Sequence, residues 1–130
     1  MKIEPDRSPR LLDSFRDAFR GLLFVIRNER NARIHLLFSG LVAAAGVLFR
    51  ISNLEWLVLI LTIAMVWITE IYNTALERLI NLVHPEWGEE AGICKDISAA
   101  GVILSALISI VVGLLIFGPR VYRSAAALVN

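Results

Sequence analysis

Glu70, Asn73 and Glu77 are spaced so that one helix face would carry two carboxylates and an amide over about two turns, because positions i, i+3 and i+7 share a face. They stand in the run Ile68-Thr69-Glu70-Ile71-Tyr72-Asn73-Thr74-Ala75-Leu76-Glu77, at the end of a strongly apolar segment. An ionisable group costs roughly 2.5 to 3.5 kcal/mol at the centre of a membrane helix even on lenient insertion scales, and less toward its ends, so such a stripe needs partners or a purpose. Three other polar patches can reach the same membrane boundary: Arg27-Asn28-Glu29-Arg30-Asn31-Ala32-Arg33, the acidic stretch His84 to Glu90, and Lys95-Asp96. Magnesium takes oxygen ligands and usually combines one or two carboxylates with substrate phosphates, which suits Glu29 and Glu77 as holders of a nucleotide's metal. Lys95 and the arginines of the first patch suit phosphate oxygens. Glu70, higher in the membrane and partly shielded from water, suits proton acceptance from a lipid hydroxyl.

Plainer roles are open to the same residues. Glu70 and Asn73 can join neighbouring helices by hydrogen bonds. Glu77 with Arg78, and Lys95 with Asp96, can be interfacial charge pairs, and Glu29 with Arg33 has the spacing of a helical i,i+4 pair. Trp56, Trp67 and Trp87 read as interface or core aromatics, His35 as a headgroup-level residue and His84 as a helix-end residue. Only the combination of patches points to nucleotide chemistry.

The elements that position these groups follow from hydropathy. The chain has 130 residues with 57% hydrophobic usage, above the roughly 45 to 50% of soluble domains, and reads as one integral membrane domain. Net charge is only +1, so no basic field argues for nucleic acid. Cys94 is the single cysteine, and the two isolated histidines lack partners at ligand spacing, which sets aside an internal disulfide, a zinc site and a Cys/His pair. No Walker-type phosphate loop and no protein-kinase signature occurs. Residues 1–20 carry five basic and four acidic groups without a continuous apolar stretch, so a retained amino terminus is expected.

Three apolar spans are predicted, at about 35–52, 54–83 and 96–118, of which the last has no charge from Ile97 through Pro119. Ser52-Asn53 supplies turn and cap chemistry between the first two, and Pro85 with Gly88 breaks the chain between the second and third. Ahead of them Leu11, Leu12, Phe15, Phe19, Leu22, Leu23 and Ile26 recur at helical spacing, predicting an amphipathic surface helix over about 8–30. Eight of the thirteen Lys and Arg residues fall in the first 34 positions, which places that arm, the acidic loop and the Glu70/Glu77 stripe on the cytoplasmic side. Arg120 and Arg123 then fall outside and oppose this orientation slightly.

Glu70-Ile-Tyr-Asn73-Thr74-Ala75-Leu-Glu77, followed eighteen residues after Glu77 by Lys95-Asp96-Ile-Ser-Ala99-Ala100-Gly-Val, resembles the prokaryotic diacylglycerol kinase and undecaprenol kinase family. Phe15-x-x-Ala18-x-x-Gly21 and Glu29-Arg30-Asn31-x-x-x-His35 match it too, most closely its undecaprenol kinase branch. The resemblance implies an all-α integral membrane kinase of three transmembrane helices behind a surface helix, assembled as a homotrimer in the bacterial inner membrane. It implies transfer of the γ-phosphate of MgATP to a lipid alcohol, undecaprenol being preferred over diacylglycerol.

By the same resemblance Glu70 is the general base and meets the substrate, and Glu29 and Glu77 bind the metal and nucleotide. Arg10, Asn73, Glu86, Lys95 and Asp96 contact the nucleotide, with Arg10 also touching substrate. Asn81 stands where many members carry aspartate, Asp17 where some carry tyrosine, and Tyr72 where a small aliphatic is frequent. Asp17 and Asn81 are left without a role. A non-enzymatic oligomer with a polar helix interface is the rival from another class.

Overall fold

Helix α1 runs over Leu11–Asn28, α2 over Arg30–Leu48, α3 over Asn53–Val83 and α4 over Glu89–Val129. This computed structural model describes residues 11–86 and 88–129, with side chains through Ala127. Arg10 and Trp87, both singled out above, lie outside the described residues. No strand occurs among the described residues, and α2, α3 and α4 are each long and apolar enough to cross a bilayer. The architecture is the all-α one expected, three candidate membrane helices preceded by a shorter amino-terminal helix.

Amphipathic α1 keeps Val25 buried near its end while Leu11, Leu12, Phe15 and Phe19 remain more than 60% exposed. That apolar face is turned away from the rest of the chain, as a helix lying on a lipid surface requires. Helices α1 and α2 are separated by a single residue. Glu29 leaves helical geometry at φ −102° and ψ 127°, and α2 begins immediately after it. Arg30, Asn31 and Arg33 therefore occupy the first turn of α2.

The α2–α3 turn is closed by backbone geometry on one side and a side-chain cap on the other. Ile51 N–H donates to the Gly46 carbonyl at 3.1 Å and Arg50 N–H to the Val47 carbonyl at 3.2 Å, the paired bonds of a Schellman ending. Arg50 takes φ 48°, a left-handed position where glycine is usual. Ser52 then caps α3: its Oγ accepts from Glu55 N–H at 3.4 Å, and its own N–H donates to Glu55 Oε2 at 2.8 Å.

The most extensive helix contact is between α3 and α4. Near the turn, Ile51, Leu59 and Ile116 form a buried apolar core flanked by Phe49, Trp56 and Phe117. Gly46 permits close approach there, since a Cβ on it would stand 2.8 Å from the Trp56 ring. Farther along α3, packing becomes polar: Thr69 and Ser105 share a 2.9 Å hydroxyl contact, and Trp67 Nε1 donates to Ser39 Oγ at 3.2 Å. At 1.5 Å per residue α3 is about 46 Å long, more than the ~30 Å hydrocarbon core, so one of its ends must project into the interface.

Helix α4 exceeds the uncharged run that predicts it. It takes in Glu89 and Glu90, whose charge favours a helix amino terminus, and continues through Pro119. Proline lacks the N–H that would serve the carbonyl four residues back, yet the helix is preserved across it. Arg120, one residue on, donates from Nη1 to the Ile116 carbonyl.

Candidate active site

The buried face of α3 carries Glu70, Asn73 and Thr74 in succession, and Glu77 continues it half-buried. The helical spacing thus becomes a polar seam toward α2 and α4. Asn73 stands at its centre: Nδ2 donates to Glu77 Oε1 at 3.2 Å, while Oδ1 accepts from Ser98 Oγ on α4 at 2.7 Å. One amide therefore orients a carboxylate on its own helix and registers the neighbouring one. Lys95, one turn before Ser98 on α4, donates from Nζ to Asn81 Oδ1 at 2.6 Å.

Glu29, the residue between α1 and α2, accepts from Arg78 Nη2 on α3 at 3.3 Å. The Arg78 guanidinium also lies over the Phe24 ring, 4.3 Å from its centroid. Arg78 thus holds α1 and the start of α2 against α3, by an ion pair and a cation–π contact at once. Glu29 does not pair with Arg33, whose Nη1 donates to the Arg27 carbonyl at 3.3 Å. The break at Glu29 removes the continuous helix that an i,i+4 pair needs. Glu77 likewise bonds Asn73, not Arg78.

Glu70 is only 2% exposed, and its Oε2 is buried with no hydrogen-bond partner. Facing it at 3.9 Å is His35 Nε2 of α2, also buried and without a partner. That separation is too long for a direct hydrogen bond. Glu29 and Glu77 are the charged neighbours that act on Glu70. No group of three or more His, Cys, Asp or Glu side chains stands at metal-binding distance among the described residues.

Asn73 and Glu77 are bonded to each other on α3, Glu70 faces His35 of α2, Glu29 reaches α3 through Arg78, and Lys95 of α4 bonds Asn81 of α3. Asp96 is exposed on α4, and Glu86 is exposed in the α3–α4 connection. Arg10 falls outside the described residues. Sequence reasoning missed Ser98, Arg78 and the contact made by Asn81. Ser98 was within reach of it, being one turn from Lys95, and Arg78 shares a face with Glu70 and Thr74 at i+8 and i+4.

The chain as a whole has counterparts among known proteins. The family model described as prokaryotic diacylglycerol kinase matches residues 16–117. The chain belongs to that family. It is 35% identical over 111 residues to an undecaprenol kinase of Bacillus subtilis, covering 85% of this chain and 90% of that protein. It is 38% identical over 107 residues to a diacylglycerol kinase of Synechocystis, covering 82% of this chain and 61% of that protein. As a member of the prokaryotic diacylglycerol kinase family the chain is an enzyme, an integral membrane lipid kinase with ATP as co-substrate, and the non-enzymatic alternative is set aside.

Proposed function

We propose that this protein transfers the γ-phosphate of MgATP to the hydroxyl of a membrane lipid alcohol, and that the alcohol is undecaprenol in preference to diacylglycerol. The observation that carries the reading is Glu70, a carboxylate 2% exposed with an oxygen lacking any hydrogen-bond partner, on the same helix face as Asn73 and Glu77. Burying such a group without a partner is costly, and a substrate hydroxyl supplies the missing hydrogen bond. The undecaprenol preference is supported by the Glu29-Arg30-Asn31 to His35 match and by likeness to a named undecaprenol kinase over 90% of its length.

In this mechanism Glu70 accepts the hydroxyl proton as the lipid oxygen bonds to the γ-phosphorus. The bond from that phosphorus to the β–γ bridging oxygen breaks, and ADP leaves with the electron pair. Phosphoryl transfer asks mainly for positioning and charge neutralisation. The donor chemistry suits a hard divalent cation, because Glu29 and Glu77 offer carboxylate oxygens. Magnesium there would neutralise phosphate charge. Asn73 fixes the Glu77 carboxylate, Lys95 meets phosphate oxygens, and Arg10, Glu86 and Asp96 contact the nucleotide from the rim, with Arg10 also reaching the lipid headgroup.

The reading includes a cytoplasmic amino terminus and active site in the bacterial inner membrane. It also includes a homotrimer, supported by the many apolar residues left exposed on all four helices. The test is transfer of label from γ-labelled ATP to undecaprenol, diacylglycerol and ceramide in detergent micelles. Labelled undecaprenyl phosphate as the main product is expected. Label in phosphatidic acid instead would move the substrate to diacylglycerol, and no labelled lipid at all would sink the kinase reading.

A further inference from the structure

His35 and Glu70 hold the two buried side-chain polar atoms without hydrogen-bond partners among the described residues, and these atoms face each other across 3.9 Å. Two polar atoms in an apolar bundle would ordinarily close that gap and bond. Here they stand apart by about the distance that a third atom needs to bond both. An oxygen placed ~2.8 Å from each would subtend an angle of roughly 90° between them, acute but within reach of an alcohol that donates to one and accepts from the other.

The surroundings favour a lipid alcohol over other oxygen sources. His35 borders a cleft of about 360 Å³ between α2, α3 and α4, walled by apolar side chains such as Val42, Ile63 and Ile110. Hydroxyls along its walls already serve their own helices: Ser39 donates to the His35 carbonyl, Thr62 to the Val58 carbonyl and Ser109 to the Ala106 carbonyl. His35 Nε2 is left as the polar atom with nothing to bond. Along α3 the cleft spans Leu59 to Val66, about 10 Å of helix, and stops one turn short of Glu70. An apolar chain in the cleft would carry its hydroxyl to the gap between histidine and carboxylate.

We propose that His35 is a substrate-positioning residue of this kinase. As the neutral tautomer with the proton on Nε2, it donates a hydrogen bond to the lipid hydroxyl oxygen and turns that hydroxyl's proton toward Glu70 Oε2. The oxygen keeps one lone pair for the γ-phosphorus, and His35 neither gains nor loses a proton during transfer. This rests on the lipid-kinase reading and deepens it, because it names the residue that aims the acceptor hydroxyl at the base.

The test compares His35→Met, which keeps bulk and apolar fit but removes the donor, with His35→Gln, which keeps an N–H near the Nε2 position. The full chain is reconstituted in lipid nanodiscs and assayed with MgATP and undecaprenol. Misplacing a reacting atom by about 1 Å can cost about 10²-fold in rate, so His35→Met should lose about 10- to 100-fold in lipid kcat/KM with the KM for MgATP unmoved. His35→Gln should recover most of that loss, which a purely structural histidine would not show.

If methionine disturbs assembly, His35→Asn against His35→Gln replaces it. Drawing the amide back by one carbon, about 1.5 Å, should cost at least several-fold in lipid turnover. Wild-type turnover in His35→Met, or equal loss in the Met and Gln variants with normal assembly, would overturn the role of His35. Lipid phosphorylation by the wild type would still stand in that case, so the two readings fail separately.

Discussion

The two ends of α3 are built on opposite rules. Near the α2–α3 turn, Glu55 is bonded on every side: Ser52 donates to it from backbone and hydroxyl at 2.8 Å, and Arg120 of α4 grips it with two hydrogen bonds at 2.8 and 2.9 Å. Fifteen residues farther along, about 22 Å of helix, Glu70 is more deeply buried and has an oxygen with no partner. A carboxylate that only holds helices together is surrounded by donors, as Glu55 is. One that is buried and left short of donors raises the energy of the empty site, and that cost is recovered when a hydroxyl arrives. On the proposed mechanism, the contrast separates a structural acid from a chemical one on a single helix.

The largest effect expected from breaking this contrast is at Glu70. Glu70→Gln keeps the shape but cannot take a proton, and lipid phosphorylation should fall about 10²- to 10⁴-fold. Thermal stability should hold or rise, because a buried carboxylate lacking a partner becomes a neutral amide. Equal turnover by this variant in the labelled-ATP assay would remove Glu70 from the mechanism.

Glu77→Gln sharpens the comparison within the open end, since Glu77 is oriented by Asn73 and half-buried. Its KM for MgATP should rise about tenfold, close to 1.4 kcal/mol, with the magnesium titration shifted to higher concentration. An unaltered magnesium response would reject its assignment as a metal ligand.

At the closed end the expected effects fall on stability. Gly46→Ala would bring a Cβ to 2.8 Å from the Trp56 ring and 3.1 Å from Ile51 Cδ1, and overpacking of this kind costs about 1 to 3 kcal/mol. Unfolding in mixed micelles should shift accordingly, while turnover per folded molecule stays near wild type. Arg120→Met, the mildest of the set, leaves Glu55 with its Ser52 donors and should lower the unfolding midpoint by a few degrees without changing the KM for lipid or MgATP. Loss of lipid turnover in Arg120→Met at normal stability would show that the closed end takes part in the chemistry.

Much of the open end was legible because its signals are local. Glu70, Asn73 and Glu77 share a face by spacing alone, and Ser52 with Glu55 three residues later is a readable helix start. Partners distant in sequence are not legible. Glu29 was given a plain helical partner in Arg33, yet its partner is Arg78, 49 residues away. Arg120 reads as a late charge on the outer side, and the structure adds its partner, Glu55, 65 residues away. His35 read as a headgroup residue and faces the buried carboxylate.

What the sequence determined by itself is what depends on neighbours along one helix: three apolar lengths, the surface arm, the caps and turns, and the polar stripe with its lysine motif. Period and length encode these, because hydropathy is summed within a helix and caps act within four residues. Tertiary structure alone decided which helix faces meet. Membrane helices are apolar nearly all the way round, so hydrophobic periodicity does not set their rotation or axial register; close packing and a few interhelical hydrogen bonds do. Those contacts, Gly46 against Trp56, Thr69 with Ser105 and Asn73 with Ser98, turn α2, α3 and α4 so that Glu55 is enclosed by donors. The same rotation leaves Glu70 and His35 facing one another across a gap.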